Sequence, residues 1–279
     1  MVNQPEQSQS PQPKYLEDLG WRGRVGFISP PSASDDHLEF MRVAPAGFSV
    51  YQTMTYVEKF NEGLSFDKIG EASKQLDHAA QTLAQARVDA IAQCGTPFSF
   101  LVDNGYQVSQ DVQARIEDMI GIPFSMMGLS VVNALKSMGI SSVAVAATYY
   151  GDDIVEKYTK FLEDAEITVH GMETFLSQGI YSSREELDHA LFPLHSRITL
   201  GRVYKAARMV AKDHPEADCI VISGGAVPSM DIIQALEHDT GKVVVSSLSS
   251  LIWEVLYKLG IGESIPSHGK LLAELGTRR

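Results

Sequence analysis

Two glycine-centred segments hold the residue types best suited to chemistry in this chain of 279 residues. The first is Cys94-Gly95-Thr96-Pro97-Phe98-Ser99, and the second is Ser223-Gly224-Gly225-Ala226-Val227-Pro228-Ser229. Glycines at the carboxyl end of a parallel strand expose backbone N–H groups, which can cradle a carboxylate or an enolate oxygen. Gly95, Gly224 and Gly225 are candidates for that role, and Thr96 and Ser99 add hydroxyl donors. Cys94 is the candidate for proton transfer, because a thiol at such a loop has a pKa that local N–H dipoles tune. The same glycines also suit a tight strand-to-helix turn that needs their backbone freedom. For one loop alone the two readings balance; two such loops in matching places favour function.

Further donors stand at other strand ends. Ser29-Pro30-Pro31-Ser32-Ala33-Ser34 offers Ser32 and Ser34, and Thr148-Tyr149-Tyr150-Gly151-Asp152-Asp153 offers Tyr150. Of the two tyrosines, one is expected in the core and one at the surface. Cys219 lies inside an apolar run and reads as a core residue, as cysteine usually is. His189, His195, His214 and His238 sit in polar contexts and read as solvated, with no spacing that predicts a metal site. His268 precedes Gly269-Lys270-Leu271 near the end of the chain. There is no GxxxxGK[ST], and no strand leads into GxGxxG, so no nucleotide cofactor is expected.

These loops need an α/β scaffold, and the pattern supplies one. Short apolar runs at 24–28, 48–57, 90–93, 142–146, 219–222 and 243–245 read as strands. Between them, residues 68–87, 152–164, 200–212, 230–237 and 251–259 have helical periodicity. Alternating strands and helices predict a mainly parallel sheet covered on both faces.

The pattern also repeats. Val88-Asp89-Ala90-Ile91-Ala92-Gln93-Cys94-Gly95 matches Ala217-Asp218-Cys219-Ile220-Val221-Ile222-Ser223-Gly224, with Asp89 and Asp218 129 positions apart. Arg24-Val25-Gly26-Phe27-Ile28 matches Ser142-Val143-Ala144-Val145-Ala146, and Gly121-Ile122-Pro123-Phe124-Ser125 matches Gly241-Lys242-Val243-Val244-Val245. Three blocks recurring in one order predict an internal duplication: two flavodoxin-like parallel-sheet halves about a pseudo-twofold axis. Equivalent strand-end loops then face each other across a cleft. The expected units are residues 22–128, residues 129–246, and a C-terminal helix and tail at 247–279 returning to the first half. Residues 1–21, rich in Gln, Ser and Pro, read as a loosely attached tail.

Composition limits the partners. A formal charge of −12 argues against nucleic acid and anionic membrane surfaces. No apolar run is long enough to span a bilayer, and the N-terminus has no signal-like apolar region. Two cysteines in 279 residues fit a reducing compartment, so a cytoplasmic location is expected. Self-association into a homo-oligomer is left open.

Over residues 22–273 the chain resembles the aspartate/glutamate racemase superfamily, in the branch of maleate isomerases and arylmalonate decarboxylases. The segments that carry the likeness are Gly26-Phe27-Ile28-Ser29-Pro30-Pro31-Ser32, Arg42-Val43-Ala44-Pro45-Ala46-Gly47, Gly95-Thr96-Pro97-Phe98-Ser99-Phe100, Ala147-Thr148-Tyr149-Tyr150-Gly151-Asp152-Asp153, residues 218–225, and Gly269-Lys270-Leu271. The resemblance implies the duplicated fold read above and chemistry without a cofactor, in which a cysteine from each half flanks the substrate. In the decarboxylases only the second-half cysteine remains, with glycine at the first-half position. By offset, those two positions fall here on Gly95 and Gly224, with Cys94 one residue early.

The expectation is therefore a cofactor-independent lyase (decarboxylase) or isomerase. It would act on a small carboxylate or dicarboxylate through an enolate-like intermediate held between the halves. Gly95 ranks decarboxylation above cis–trans isomerisation. The rival readings are a carboxylate-binding or regulatory protein that lost the two-cysteine chemistry, and an enzyme with changed chemistry that uses Ser223 or Ser229.

Overall fold

The computed structural model describes residues 19–31, 35–59, 65–100, 105–191, 198–225 and 227–277. Most of the expected tail, together with Ser32, Ser34, His195 and Ala226, lies outside the described residues.

Two four-stranded sheets form, both wholly parallel. The first contains β1 (Gly23–Ser29), β2 (Phe48–Met54), β3 (Ala90–Gln93) and β4 (Phe124–Met126), in the order β2-β1-β3-β4. The second contains β5 (Ser142–Thr148), β6 (Thr168–Thr174), β7 (Cys219–Ile222) and β8 (Val243–Ser246), in the order β6-β5-β7-β8. The order is the same in both, which is the structural form of the sequence repeat. The central strands β3 and β7 are buried at every residue, so apolar runs rather than alternation specify them.

Helices cover the sheets. In the first half they are α1 (Asp36–Val43), α2 (Phe66–Ser73), α3 (Leu76–Gln85), α4 (Tyr106–Ile120) and α5 (Met127–Ser137). The second half and C-terminus carry α6 (Asp152–Asp164), α7 (Arg184–Leu191), α8 (Leu200–Asp213), α9 (Ile233–Thr240), α10 (Ser247–Lys258) and α11 (Lys270–Ala273). The single helix read at 68–87 is two. The break falls at Lys74–Gln75, where the Gln75 side chain accepts from Tyr56 N–H and donates to Tyr56 O.

Other boundaries moved too: the strand read to residue 57 ends at Met54, the helix read at 230–237 is α9 at Ile233–Thr240, and α10, read from residue 251, begins at Ser247. Ser246 and Ser249 form a reciprocal capping box, which satisfies two N–H groups at the helix start.

Helices α5 and α10 follow the equivalent strands β4 and β8 and pack on each other between the sheets. Glu254 of α10 is buried there. It accepts from Asn133 Nδ2 at 2.8 Å and from the Ser130 hydroxyl, with Lys258 Nζ 3.7 Å away. Lys258 also pairs with Glu117 of α4 at 2.7 Å. Phe100 of the first half stacks on Tyr158 of α6, ring centroids 4.9 Å apart. Beyond α10 the chain touches both halves: Glu263 pairs with Arg22 of the first at 2.6 Å, and Glu237 of α9 in the second accepts from Lys270 N–H at 3.0 Å.

Candidate active site

Strands β3 and β7 deliver the two glycine segments to the same place. Cys94 N–H donates to Ile28 O at 2.9 Å, and Ser223 N–H donates to Ala146 O at 2.9 Å. Cys94 and Ser223 are thus equivalent in their sheets. The next residues, Gly95 and Gly224, have φ of 97° and 131°. Both lie where a Cβ is strained, so glycine is needed for the chain to leave the strand and turn inward.

The turns meet. A Cβ built on Gly225 would lie 3.7 Å from both the Cα and the N of Gly95, and 3.7 Å from Asp36 Oδ2. Glycine on both sides lets the two backbones approach this closely. At Gly224 a Cβ would sit 2.7 Å from Tyr149 Cε1 and 2.8 Å from Thr148 Oγ1.

Hydroxyls converge beside this contact. Thr96 Oγ1 donates to Ser247 Oγ at 2.8 Å. Ser223 Oγ lies 3.4 Å from Ser247 Oγ and donates to Tyr150 Oη at 3.3 Å. Tyr150 also hydrogen-bonds with Thr96. All four side chains are buried. Burial pushes the Tyr150 phenol up to about 12, with the Ser223 and Thr96 hydroxyls pulling it back. Tyr150 therefore keeps its proton and serves as a neutral donor.

The first-half side differs in chemistry. Met127, which follows β4 as Ser247 follows β8, puts Sδ 3.3 Å from Gly95 N–H. That N–H, expected to face a carboxylate, meets a weak acceptor instead. Gln93 donates to the Cys94 and Gly95 carbonyls, while its buried Oε1 has no hydrogen-bond partner.

Cys94 is fully buried, and so is Cys219; both are free thiols. Burial first, then the Asp36 carboxyl in charge and hydrogen bond, push the Cys94 thiol well above its ordinary value; a hydrogen bond with Ser29 acts the other way. The direction is set by desolvation and a neighbouring acid rather than by the tuning of loop N–H groups read from the sequence. Cys219 is a core residue as read, its thiol also raised by burial.

Of the expected site residues, the structure brings together Gly95, Thr96, Tyr150, Gly224 and Gly225, with Cys94 at the first-half edge. Ser99 is corrected. Its Oγ accepts from Gly128 N–H at 3.0 Å and its carbonyl accepts from Ser109, so it clamps the start of α5. Tyr149 and Tyr150 are both buried, not one in and one out. His268 sits by the Met230 carbonyl at 3.3 Å. Among the described residues no group of three His, Cys, Asp or Glu side chains is placed to hold a metal ion, and no helix is long and apolar enough to cross a membrane.

Sequence reading missed three residues. Ser247 was hidden by the late helix start, although Ser246-x-x-Ser249 signals a cap. Ser223 was weighed only for changed chemistry, although it directly follows β7. Asp36, 2% exposed, carried no signal, because an acid at a helix start is ordinarily solvated.

Known proteins agree with this architecture. An arylmalonate decarboxylase from Bordetella bronchiseptica is 26% identical over 251 residues, covering 90% of this chain and 96% of that protein. A solved unliganded arylmalonate decarboxylase superimposes with a TM-score of 0.73 at 23% identity, over 90% of this chain and 99% of that one. A maleate isomerase from Pseudomonas putida S16 gives 0.76 at 18% identity, over 91% and 99%. The pattern that defines the arylmalonate decarboxylase family matches residues 25–272, nearly the whole described chain, and the protein belongs to that family.

Proposed function

We propose that this chain is a cofactor-independent decarboxylase of malonate-type acids, of which arylmalonates are the first class to test. One observation carries the reading: Thr96, Ser223, Ser247 and Tyr150, drawn from both halves, aim hydroxyls at one buried point beside the Gly95–Gly225 contact. Loss of CO2 leaves the carbon–carbon electron pair on an enolate. Neutral donors fixed in a dry site stabilise the charge that develops there.

The enolate carbon then takes a proton. Cys94 is the donor in this reading: the C–H bond forms, the S–H bond breaks, and the electron pair stays on sulfur. The buried, raised thiol holds its proton at neutral pH, which suits an acid. Cis–trans isomerisation of maleate ranks second, because attack on a double bond needs a thiolate, the form disfavoured here. The binding-protein reading ranks below both, since family membership and the donor cluster favour catalysis.

We infer units that meet near residues 128 and 129, with a C-terminal segment from residue 247, and a small carboxylate as the partner. Two free thiols fit a cytoplasmic setting.

The test is incubation of the purified protein with phenylmalonate and related malonates in D2O, following CO2 and the monoacid. One deuterium at the α-carbon per CO2 is expected. Conversion of maleate to fumarate without any decarboxylation would overturn the ranking, and no turnover of either class would overturn the enzyme.

A further inference from the structure

Glu254 is 3% exposed and lies within α10, the helix that packs on α5. Its Oε1 accepts from Asn133 Nδ2 at 2.8 Å and stands 3.7 Å from Lys258 Nζ, and its Oε2 accepts from the Ser130 hydroxyl. Lys258 is held in turn by Glu117 Oε1 at 2.7 Å and Phe124 O at 2.6 Å. Polar bonds thus tie α10 to α5, α4 and β4.

Stability alone gives no reason for an acid at this place. Well-packed apolar residues of similar volume often replace a buried ion pair without loss, and the best-attested service of a buried charge is to fix register. The register here is that of Ser247. It opens α10 seven residues before Glu254, two helical turns away on the same face. Ser247 meets Thr96 at 2.8 Å and lies 3.4 Å from Ser223 Oγ. A helix is stiff along its axis, so a slip of α10 at Glu254 reaches Ser247 undiminished. About 1 Å of slip is enough to take such a bond out of range.

The duplication shows that the tie is one-sided. At the offset of 120 positions that relates Gly121 to Gly241, Ser247 matches Met127, Ser250 matches Ser130, and Glu254 matches Ala134. Ser130 finds the Glu254 carboxyl. The counterpart for Ser250 is Ala134, and the buried Ser250 Oγ has no hydrogen-bond partner. The acid is present on the helix that begins with a hydroxyl donor and absent from the one that begins with Met127.

We propose that Glu254 is a positioning residue that pins α10 against α5 and so keeps Ser247 bonded to Thr96 in the donor cluster. It acts through the helix, not on the substrate. The kinetic consequence rests on the decarboxylase reading; the mechanical coupling does not.

The experiment uses the full chain with Glu254→Leu, which keeps bulk and removes both acceptors, and Glu254→Gln, which keeps an acceptor for Asn133. Urea unfolding of Thr96→Val, Ser247→Ala and the double variant against their parent measures the coupling between the two hydroxyls, and the cycle is repeated in each Glu254 background. The coupling is expected to fall by about half or more in Glu254→Leu and to hold in Glu254→Gln. With phenylmalonate, kcat is expected to fall about tenfold or more in Glu254→Leu, with a smaller change in KM, and to recover most of the way in Glu254→Gln. In a Ser247→Ala background, Glu254→Leu should lower kcat no further. A general loss of stability would produce neither the lost coupling nor this non-additivity.

An undiminished coupling in Glu254→Leu overturns the proposal, as does a parent with no coupling to lose. Should Glu254→Leu fail to fold, Asn133→Ala removes one tie from the α5 side, and an undiminished coupling there overturns the proposal equally. A kcat loss that multiplies in full on top of Ser247→Ala does so as well. If the coupling falls as expected but no malonate is turned over, the pin stands and the decarboxylase reading falls.

Discussion

Thr96 and Ser247 join the two halves through one buried hydrogen bond, Oγ1 to Oγ at 2.8 Å, at the point where the glycine turns meet. Thr96 comes from the turn after β3 and Ser247 from the first residue of α10. Neither half can build this donor cluster alone, so its geometry reports how the halves sit together.

Removing either partner breaks this bond and leaves the other only its weaker neighbour, Tyr150 for Thr96 or Ser223 for Ser247. Thr96→Val and Ser247→Ala are each expected to cost about 1–3 kcal/mol of stability, the penalty for an unsatisfied buried polar group. The double variant should cost less than the sum, because both single changes break one bond. Denaturant unfolding of all four proteins closes this cycle. Thr96→Val should also lower malonate turnover by about 10²-fold, as loss of one fixed donor to an oxyanion does elsewhere. Additive stability losses would show that the two hydroxyls do not interact.

Much of this was readable in the sequence, for physical reasons that differ by residue. Gly95 and Gly224 were legible because a backbone need is written in the residue type and the repeat gave it twice. Tyr150 was legible by its place after β5, but its burial beside Tyr149 was not. Thr148 at φ 51° turns that loop inward, and no residue in the segment announces it. Asp36 is far from Gly225 in sequence, and only the packing of α1 on β1 and β2, through Phe40 against Phe27 and Phe48, sets it opposite that glycine. Ser99 looked like a donor by residue type. That its hydroxyl faces α5 follows from the close approach of Gly128, where a Cβ would lie 2.6 Å from Ser99 Cβ.

The two glycines of the second loop should respond oppositely to the same change. Gly224→Ala puts a methyl 2.7 Å from Tyr149 and 2.8 Å from Thr148 at a strained φ, and is expected to destabilise the fold by about 2 kcal/mol or more. Gly225→Ala meets its nearest neighbours at 3.7 Å, an ordinary contact. It should leave the melting temperature nearly unchanged while reducing turnover, since its methyl occupies the gap facing Asp36. Equal melting temperatures for the two variants would contradict this assignment.

Ser99→Ala should act through stability. It removes the acceptor for Gly128 N–H in the first turn of α5, and about 1–3 kcal/mol is expected to be lost. Thermal protection by a malonate-type ligand, measured as the rise in melting temperature on saturation, should persist in this variant and shrink in Thr96→Val. If Ser99→Ala abolishes the protection instead, its hydroxyl belongs to the binding site after all.

Alkaline pH should unfold this protein early, and the buried acids give the direction. Burial raises Tyr150 from 10.0 to about 12, and raises Tyr158, Cys94 and Cys219 as well. In each, the folded state holds the proton after the unfolded chain has released it. Unfolded cysteine releases its proton near pH ~8.5 and tyrosine near ~10. Above those values the unfolded state binds fewer protons, so stability falls as pH rises; below them the full contribution is present. For Tyr150 alone, the rise to about 12 corresponds to roughly 3 kcal/mol lost between about pH 10 and pH 12. Urea unfolding from pH 7 to pH 11 should show a plateau up to about pH 8 and a steady decline beyond it. Tyr150→Phe should flatten the decline above pH 10, because phenylalanine has no proton to release, although it removes the hydrogen bonds to Ser223 and Thr96 and so starts from a lower plateau. Stability that stays level to pH 11 in the parent would mean that the phenol and thiols ionise in the folded state as readily as in the unfolded one, and the dry hydroxyl cluster inferred for catalysis would then not be dry.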